Sequence, residues 1–181
     1  GPVHRWSFNG SLADSVGGSD ATAIGSVTAG ATQYTLTGGT RGTSYLSLGN
    51  NILPTTTPIT IEIWATQNSL QNWSRILDFG ANMANFILMS WTQGTTLGSD
   101  RVEVQQNGVS TKVDSSMQPY SLGTEYHIAM VITPNGGGDG KTLFQWYKMD
   151  ASGTALKSGS MCTNYSFSAL VQTNMWLGHS E

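Results

Sequence analysis

The chain has 181 residues, a formal net charge of −3 and 10% charged side chains, against about 25% in ordinary soluble domains. This length fits one domain, and a hydrophobic share of 38% suffices for one core. The 8 basic residues form no cationic stripe and no apolar run approaches the ~18 residues of a membrane helix, which excludes nucleic-acid binders and helical membrane spans. Cys162 is the single cysteine, so an internal disulfide is excluded and a buried position is expected.

Strand patterns follow one another along the chain, and helical periodicity is almost absent. In chain order, strands are predicted at His4–Phe8, Gln33–Leu36, Ser44–Leu48, Ile59–Thr66, Arg75–Phe79, Asn85–Thr92, Arg101–Gln106, Ser110–Val113, Glu125–Thr133, Thr142–Asp150 and Met175–Leu177. Asn107-Gly108 predicts a type I′ hairpin, because both turn positions need positive φ. The glycine-rich residues 135–140 predict a longer hairpin, and Ser166–Gln172 suggests a short helical turn. Strands at this spacing predict a jelly-roll β-sandwich of two antiparallel sheets.

Alternation along two strands predicts which side chains face the core. In Ile59–Thr66, the isoleucines and Ala65 alternate with Glu62 and Trp64, so Trp64 lies on the face opposite the predicted core side. In Arg101–Gln106, the valines alternate with a polar series that we expect to face water: Arg101, Glu103 and Gln105.

Aromatic and polar residues near turns predict a carbohydrate site. Such sites combine rings that stack on the C–H faces of sugars with amide, carboxylate and guanidinium groups that bind hydroxyls. Trp73 and Trp91 lie beside turns, whereas Trp6, Trp64, Trp146 and Trp176 are expected in or near the core. The predicted glycan-binding residues are Trp73, Trp91, Arg101, Glu103 and Gln105. The alternative is structural: core packing for each ring, and a surface ion pair of little energy for Arg101 with Glu103.

Five motifs in chain order resemble laminin-G-like domains of the concanavalin-A-like lectin and glucanase superfamily, of the bacterial secreted type. They are His4-Arg5-Trp6-Ser7-Phe8-Asn9-Gly10, Asp14-Ser15-Val16-Gly17-Gly18, Tyr45-Leu46-Ser47-Leu48-Gly49, Thr60-Ile61-Glu62-Ile63-Trp64 and Trp176-Leu177-Gly178. The resemblance implies one β-sandwich domain over residues 3–181, and Gly1-Pro2 is typical of a tag-cleavage remnant. Such domains continue beyond the Leu-Gly motif into a final strand. We expect that strand either to lie beyond Glu181 or to come from a partner polypeptide.

The resemblance also implies a calcium ion near the first turn, with Asn9 and Asp14 as ligands and Asn9 contributing its carbonyl oxygen. Calcium takes carboxylate and carbonyl oxygens from such turns. The alternative is that Asp14 caps the turn by accepting backbone N–H groups.

The same superfamily includes glycoside hydrolases, which need a pair of carboxyl groups about 5–5.5 Å apart for retention of configuration. In the corresponding string Glu62-Ile63-Trp64-Ala65-Thr66-Gln67, Trp64 and Gln67 replace the second and third carboxyl groups. Glu103 and Asp78 could form an unrelated pair, but the sequence alone does not show whether they meet. We therefore predict that the domain is not an enzyme.

These observations predict a noncatalytic carbohydrate-binding module of a larger secreted or cell-surface protein. Its partner would be a polysaccharide or oligosaccharide. One alternative is a protein-interaction or adhesion module that binds another polypeptide by strand addition at an open sheet edge. Another is a structural spacer without a ligand.

Overall fold

The computed structural model describes residues 1–94, 99–115 and 120–179, and shows an all-β protein. Ser180 and Glu181, with which the predicted domain ends, lie outside the described residues. Thirteen strands are found in the described residues: β1 (Thr22–Gly25), β2 (Val27–Ala29), β3 (Tyr34–Leu36), β4 (Ser44–Ser47), β5 (Ile59–Thr66), β6 (Arg75–Asn82), β7 (Asn85–Ser90), β8 (Asp100–Gln106), β9 (Val109–Ser115), β10 (Glu125–Thr133), β11 (Thr142–Met149), β12 (Ala155–Thr163) and β13 (Asn174–Leu177).

Two antiparallel sheets pack face to face, which confirms the predicted jelly-roll β-sandwich. The seven-stranded sheet has the order β1-β4-β13-β6-β7-β8-β9, and the four-stranded sheet has the order β12-β11-β10-β5. β2 and β3 form a separate two-stranded ribbon. Within the described residues there is no helix long and apolar enough to cross a membrane.

The core lies between the two large sheets and follows from the alternation of side chains along each strand. Ile87 and Met89 of β7 face Ile128 and Phe144 of the other sheet, and each of these side chains is at most 2% exposed. Burying one such side chain contributes about 1.5–3 kcal/mol to folding. The predicted faces of β5 and β8 are confirmed, because Ile61, Ile63, Val102 and Val104 belong to this core or pack against it.

The turn chemistry is confirmed where glycine and asparagine adopt positive φ. Asn107 and Gly108 have φ of 52° and 78° and join β8 to β9, as a type I′ turn requires. The loop at 135–140 joins β10 to β11, with Asn135 at φ 59°. A 3₁₀ turn at Phe167–Ala169 lies within the predicted helical segment.

Three differences from the predictions have local physical reasons. His4–Phe8 forms only an isolated bridge, between Trp6 and Asp14, because Phe8 adopts a φ of 50° that ends the extended run. The strands β1, β2 and β12 were not predicted, since they are short or contain glycine and polar residues that weaken the strand pattern. The buried position predicted for Cys162 is wrong: the thiol lies on an outward position of β12 and is exposed.

Loops gather at one end of the seven-stranded sheet, where β4, β6 and β8 begin and β7 and β13 end. We call this end the loop end, and define it by residues 38–43, 67–74, 91–94 and 178–179. The side chains on the outward surface of this sheet, which we call the outer face, meet these loops.

Candidate functional site

Strand register arranges the outer face in rows, because residues directly opposite each other in antiparallel strands share one face. The row nearest the loop end contains Arg75, Ser90, Arg101 and Asp114. The next row contains Trp176, Asp78, Leu88, Glu103 and Lys112. The third row contains Asn174, Gly80, Phe86, Gln105 and Ser110. The register thus places polar and aromatic groups together across five strands.

Trp73 lies at the loop end and presents an exposed ring beside two arginines. The guanidinium carbons of Arg75 and Arg101 lie 5.3 and 5.0 Å from the ring centroid. The backbone of Trp73 has a φ of 54°, which a bulky side chain rarely adopts and which the surroundings must stabilise. Gly94 packs against the ring, since a Cβ atom there would lie 3.4 Å from it. The ring, with the residue 39% exposed, is therefore held in place.

The two loops that hold Trp73 are joined by hydrogen bonds. The backbone N–H of Trp91 donates to the carbonyl of Ser74 at 2.7 Å, and the N–H of Ser74 donates to Oγ1 of Thr92 at 3.0 Å. The hydroxyl of Thr92 donates to the carbonyl of Gln71. These bonds fix the approach of 67–74 to 91–94, so the position of Trp73 is defined by backbone contacts.

Arg101 is the centre of a charged network. Its Nε and Nη2 donate to the two carboxylate oxygens of Asp114 at 2.6 and 3.0 Å, and Nη1 donates to Glu103 at 3.1 Å. The other oxygen of Glu103 accepts from the hydroxyl of Ser110 at 2.6 Å. The hydrogen bond with Asp114 is the main cause of a raised pKa of Arg101, and the same bond lowers the pKa of Asp114.

The predicted water-facing series of β8 is largely covered. The side chains of Arg101 and Glu103 are only 11% and 10% exposed. They form the ion pair that was the structural alternative, but this ion pair is largely buried and does not lie at the surface. Gln105, the last of the series, is half-buried and lies between Phe86 and Ser110. Sequence reasoning therefore found the right face and overestimated its contact with water.

Asp78 and Glu103 lie on the same face, two strands apart. Neighbouring strands are about 4.8 Å apart, so their Cα atoms are separated by about 10 Å, with Leu88 between them. The Nε of Arg75 donates to Asp78 at 3.1 Å, and Arg101 binds Glu103. Each carboxylate is thus bound by its own arginine.

A second aromatic group, which sequence reasoning missed, lies on the outer face near the same end. Trp176 stacks on the imidazole of His179 with ring centroids 4.2 Å apart, and Tyr45 meets both rings edge-on at 5.5 and 4.3 Å. The side-chain amide of Gln71 exchanges two hydrogen bonds with the backbone of Gly39, which joins two loops beside this group.

The structure places Trp91 in the core, which corrects its prediction as a glycan-binding residue. The residue is 5% exposed and its ring packs edge-on against Tyr120 with centroids 4.6 Å apart. Trp91 continues the inward series of Ile87 and Met89 on the chain that leaves β7. Its ring therefore packs in the core and has no exposed face on which a ligand could stack.

Trp64 was expected in or near the core, and this expectation is wrong. Trp64 is 59% exposed on the outward surface of the four-stranded sheet, where it stacks on His127 with ring centroids 4.0 Å apart. The carboxylate of Glu62 lies 3.6 Å from Nε2 of His127. This surface thus also carries an exposed tryptophan.

The predicted calcium ligands, Asn9 and Asp14, do not fit a cation. The carboxylate of Asp14 accepts five hydrogen bonds at 2.5–3.1 Å, from Nδ1 of His4 and from the backbone N–H groups of Arg5, Val16, Gly17 and Ser19. Burial alone would raise the pKa of Asp14, but these hydrogen bonds lower it well below its usual range. Asn9 is exposed, and the described residues contain no group of three or more His, Cys, Asp or Glu side chains that could hold a metal ion. Asp14 is therefore a turn cap.

Comparison with known proteins gives no significant match to a family model, to a curated protein or to a solved structure.

Proposed function

We propose that this domain is a noncatalytic glycan-binding module of a larger secreted or cell-surface protein, and that it binds sugar at the loop end of the outer face. The observation that supports the proposal is the fixed, exposed ring of Trp73 beside two guanidinium groups. A strained backbone persists only where the surroundings over-determine it, and such positions cluster at functional sites.

The chemistry around Trp73 suits a neutral polyhydroxylated ligand. An aromatic ring stacks on the apolar C–H face of a pyranose, while planar amides and charged groups exchange hydrogen bonds with its hydroxyls. Gln71 lies at the loop end, Arg75 and Gln105 lie on the outer face, and these residues provide such groups. Because the Arg101–Asp114 bonds already fix the nearby side chains, binding would order few additional rotamers.

The arrangement of carboxylates favours binding over cleavage. Asp78 and Glu103 are each bound by an arginine, and a general acid in a glycosidase needs a proton to donate at working pH. We therefore assign the site a binding role and assign no catalytic residue.

A glycan array followed by calorimetric titration of the best-bound glycan tests the proposal. Trp73→Ala removes the stacking surface, and we expect affinity to fall at least about 30-fold, the effect of losing a contact worth roughly 2 kcal/mol. Trp64→Ala is the matched control, because it removes an exposed tryptophan from the other sheet. Circular dichroism checks that both variants keep the β fold. An array without any bound glycan, or equal losses in the two variants, would contradict the proposal.

The edge of the four-stranded sheet supports a second candidate function, binding of an extended polypeptide. β5 is the edge strand of this sheet and pairs, among the described strands, with β10 alone. Ile59, Ile61 and Ile63 are only half-buried, whereas their partners in β10 are at most 2% exposed: Ile132, Met130 and Ile128. An added strand with alternating apolar side chains would cover the isoleucines and form hydrogen bonds with the backbone N–H and C=O groups at the open edge of β5.

Panning a displayed peptide library against the immobilised domain tests this candidate. We expect enriched peptides to alternate apolar and polar residues, and to lose binding to Ile61→Lys. Glu62→Lys changes the neighbouring position on the opposite face and should leave binding intact. Peptides without alternation, or peptides that bind all three proteins alike, would exclude strand addition at β5.

A further inference from the structure

A lysine and an aspartate contact each other inside the sandwich, in rows that are otherwise apolar. Lys148 follows Phe144 and Trp146 on the inward face of β11, and Asp100 precedes Val102 and Val104 on the inward face of β8. The two strands belong to different sheets. The side chains of Lys148 and Asp100 are 2% and 1% exposed, so the pair joins the sheets through the core.

The contact is direct and its surroundings are aromatic. Nζ of Lys148 contacts Oδ2 of Asp100. The ring of Tyr120 lies 5.2 Å from Nζ, and this ring packs edge-on against Trp91 and Tyr126 at 4.6 and 5.2 Å. These aromatic rings exclude water. The amine and the carboxyl group therefore stay in contact, and a product formed between them is protected from hydrolysis.

Within the described residues, one oxygen of the pair and the phenol beside it lack the hydrogen bonds that normally stabilise buried polar groups. Apart from the contact with Lys148, Oδ2 of Asp100 has no hydrogen-bond partner in the described residues, and neither does the buried hydroxyl of Tyr120. A buried ion pair repays its desolvation only when further hydrogen bonds satisfy it. Lys157 lies directly opposite Lys148 across β11 and β12, and adds like-charge repulsion.

These conditions favour the neutral form of Lys148. Burial, with a smaller effect of the charge on Lys157, lowers the pKa of Lys148 to about 7. Transfer of one proton from the ammonium to the carboxylate gives a free amine next to a carboxylic acid. A free amine in contact with a carboxyl carbon is an oriented nucleophile, and such orientation accelerates intramolecular reactions greatly.

We propose that Lys148 and Asp100 are a modification site, at which an amide bond forms between Nζ of Lys148 and Cγ of Asp100 and cross-links the two sheets. Nζ attacks Cγ, the new N–C bond forms, and the bond from Cγ to one carboxyl oxygen breaks. That oxygen leaves as water with the carboxyl proton and one amine proton. The reaction needs no oxidant and no co-reactant, and the product is a neutral secondary amide with one N–H.

Intact-mass spectrometry of the purified wild-type chain tests the proposal without relying on a variant. We expect a mass about 18 Da below that of the sequence, the loss of one water. After digestion, a branched peptide should join the segments around Asp100 and Lys148, and trypsin should not cleave after Lys148. A full sequence mass would overturn the proposal and leave an ion pair only. A water loss that maps to Asp139-Gly140 would overturn it too, because a succinimide there gives the same mass change.

Two variants provide the controls. Lys148→Met fills the same space without an amine, and should restore the full mass and lower Tm by on the order of 10 °C, since the cross-link would close a long loop of the unfolded chain. Lys157→Met changes the neighbouring lysine and should keep the loss of water. Loss of water in Lys148→Met would contradict the assignment of the bond.

Discussion

Two buried aspartates, one in the N-terminal turn and one in the core, are stabilised in opposite ways. The carboxylate of Asp14 is fully buried and accepts four backbone N–H groups and one imidazole nitrogen. The carboxylate of Asp100 is equally buried, and its Oδ2 contacts Lys148 without another hydrogen-bond partner in the described residues. Burial is therefore not the property that distinguishes the two sites.

The difference lies in where the backbone can provide donors. In a turn, successive N–H groups are not used by a sheet and can converge on one carboxylate. In the sandwich interior, the N–H groups of β8 belong to the ladder with β7 and β9, so Asp100 faces side chains of the other sheet. Turn geometry thus keeps a charge, whereas the interior favours its removal by neutralisation or covalent bonding.

The largest expected effect comes from leaving Lys148 alone in the core. Asp100→Ala removes the only carboxylate that contacts Lys148 in the described residues, and with it the proposed amide bond, and we expect the free energy of unfolding to fall by about 3–5 kcal/mol. The double variant Asp100→Leu with Lys148→Met removes both polar groups and should recover part of that loss. Urea denaturation of the three proteins measures these differences. A double variant as unstable as the single one would mean that the cost is loss of packing or of the cross-link, and not a lysine left without its partner.

A smaller and pH-dependent effect is expected at Asp14. Its pKa is lowered in the folded protein, so its stabilising contribution is present above the unfolded pKa of about 4 and declines as the pH falls below that value. Asp14→Asn should lose at least about 2 kcal/mol at pH 7, because an amide presents fewer acceptor sites to the five donors.

Urea denaturation at pH 7, 5 and 3 measures the difference between wild type and Asp14→Asn. The difference should be constant between pH 7 and 5 and smaller at pH 3. Asp150, a half-buried aspartate that accepts from Ser152 and Thr154, provides the control through Asp150→Asn. If the difference in the free energy of unfolding between wild type and Asp14→Asn does not change with pH, the stability of the turn does not depend on the charge of Asp14.

Local chemistry explains how much of this fold could be predicted from the sequence. The Asn107-Gly108 hairpin and the faces of β5 and β8 depend on φ preferences and alternation within a few residues, and all were predicted. β12 was missed because its pattern contains Gly159 beneath Trp146, a close approach that only the tertiary fold explains.

The candidate site was predicted only in part, because its members meet through long-range register. Alternation placed Arg101 and Glu103 on one face, and the approach of Trp73 to Arg101 depends on two loops that meet at the loop end. Asp78 lies opposite Trp176, about a hundred residues later in the chain, and no local pattern reports that pairing. Trp91 could have been assigned correctly, since it has the same parity as Ile87 and Met89.

The smallest effect is expected from calcium. The five hydrogen bonds to Asp14 use both carboxylate oxygens, so a cation would have to displace backbone donors before it could bind. We expect millimolar calcium or a chelator to shift Tm by less than about 1 °C, the change that negligible binding to the folded state implies. Thermal unfolding in the two buffers measures this shift. A calcium-dependent rise of several degrees that is lost in Asp14→Asn would show that the turn opens to accept the ion, and that a cation can replace the hydrogen-bond donors around Asp14.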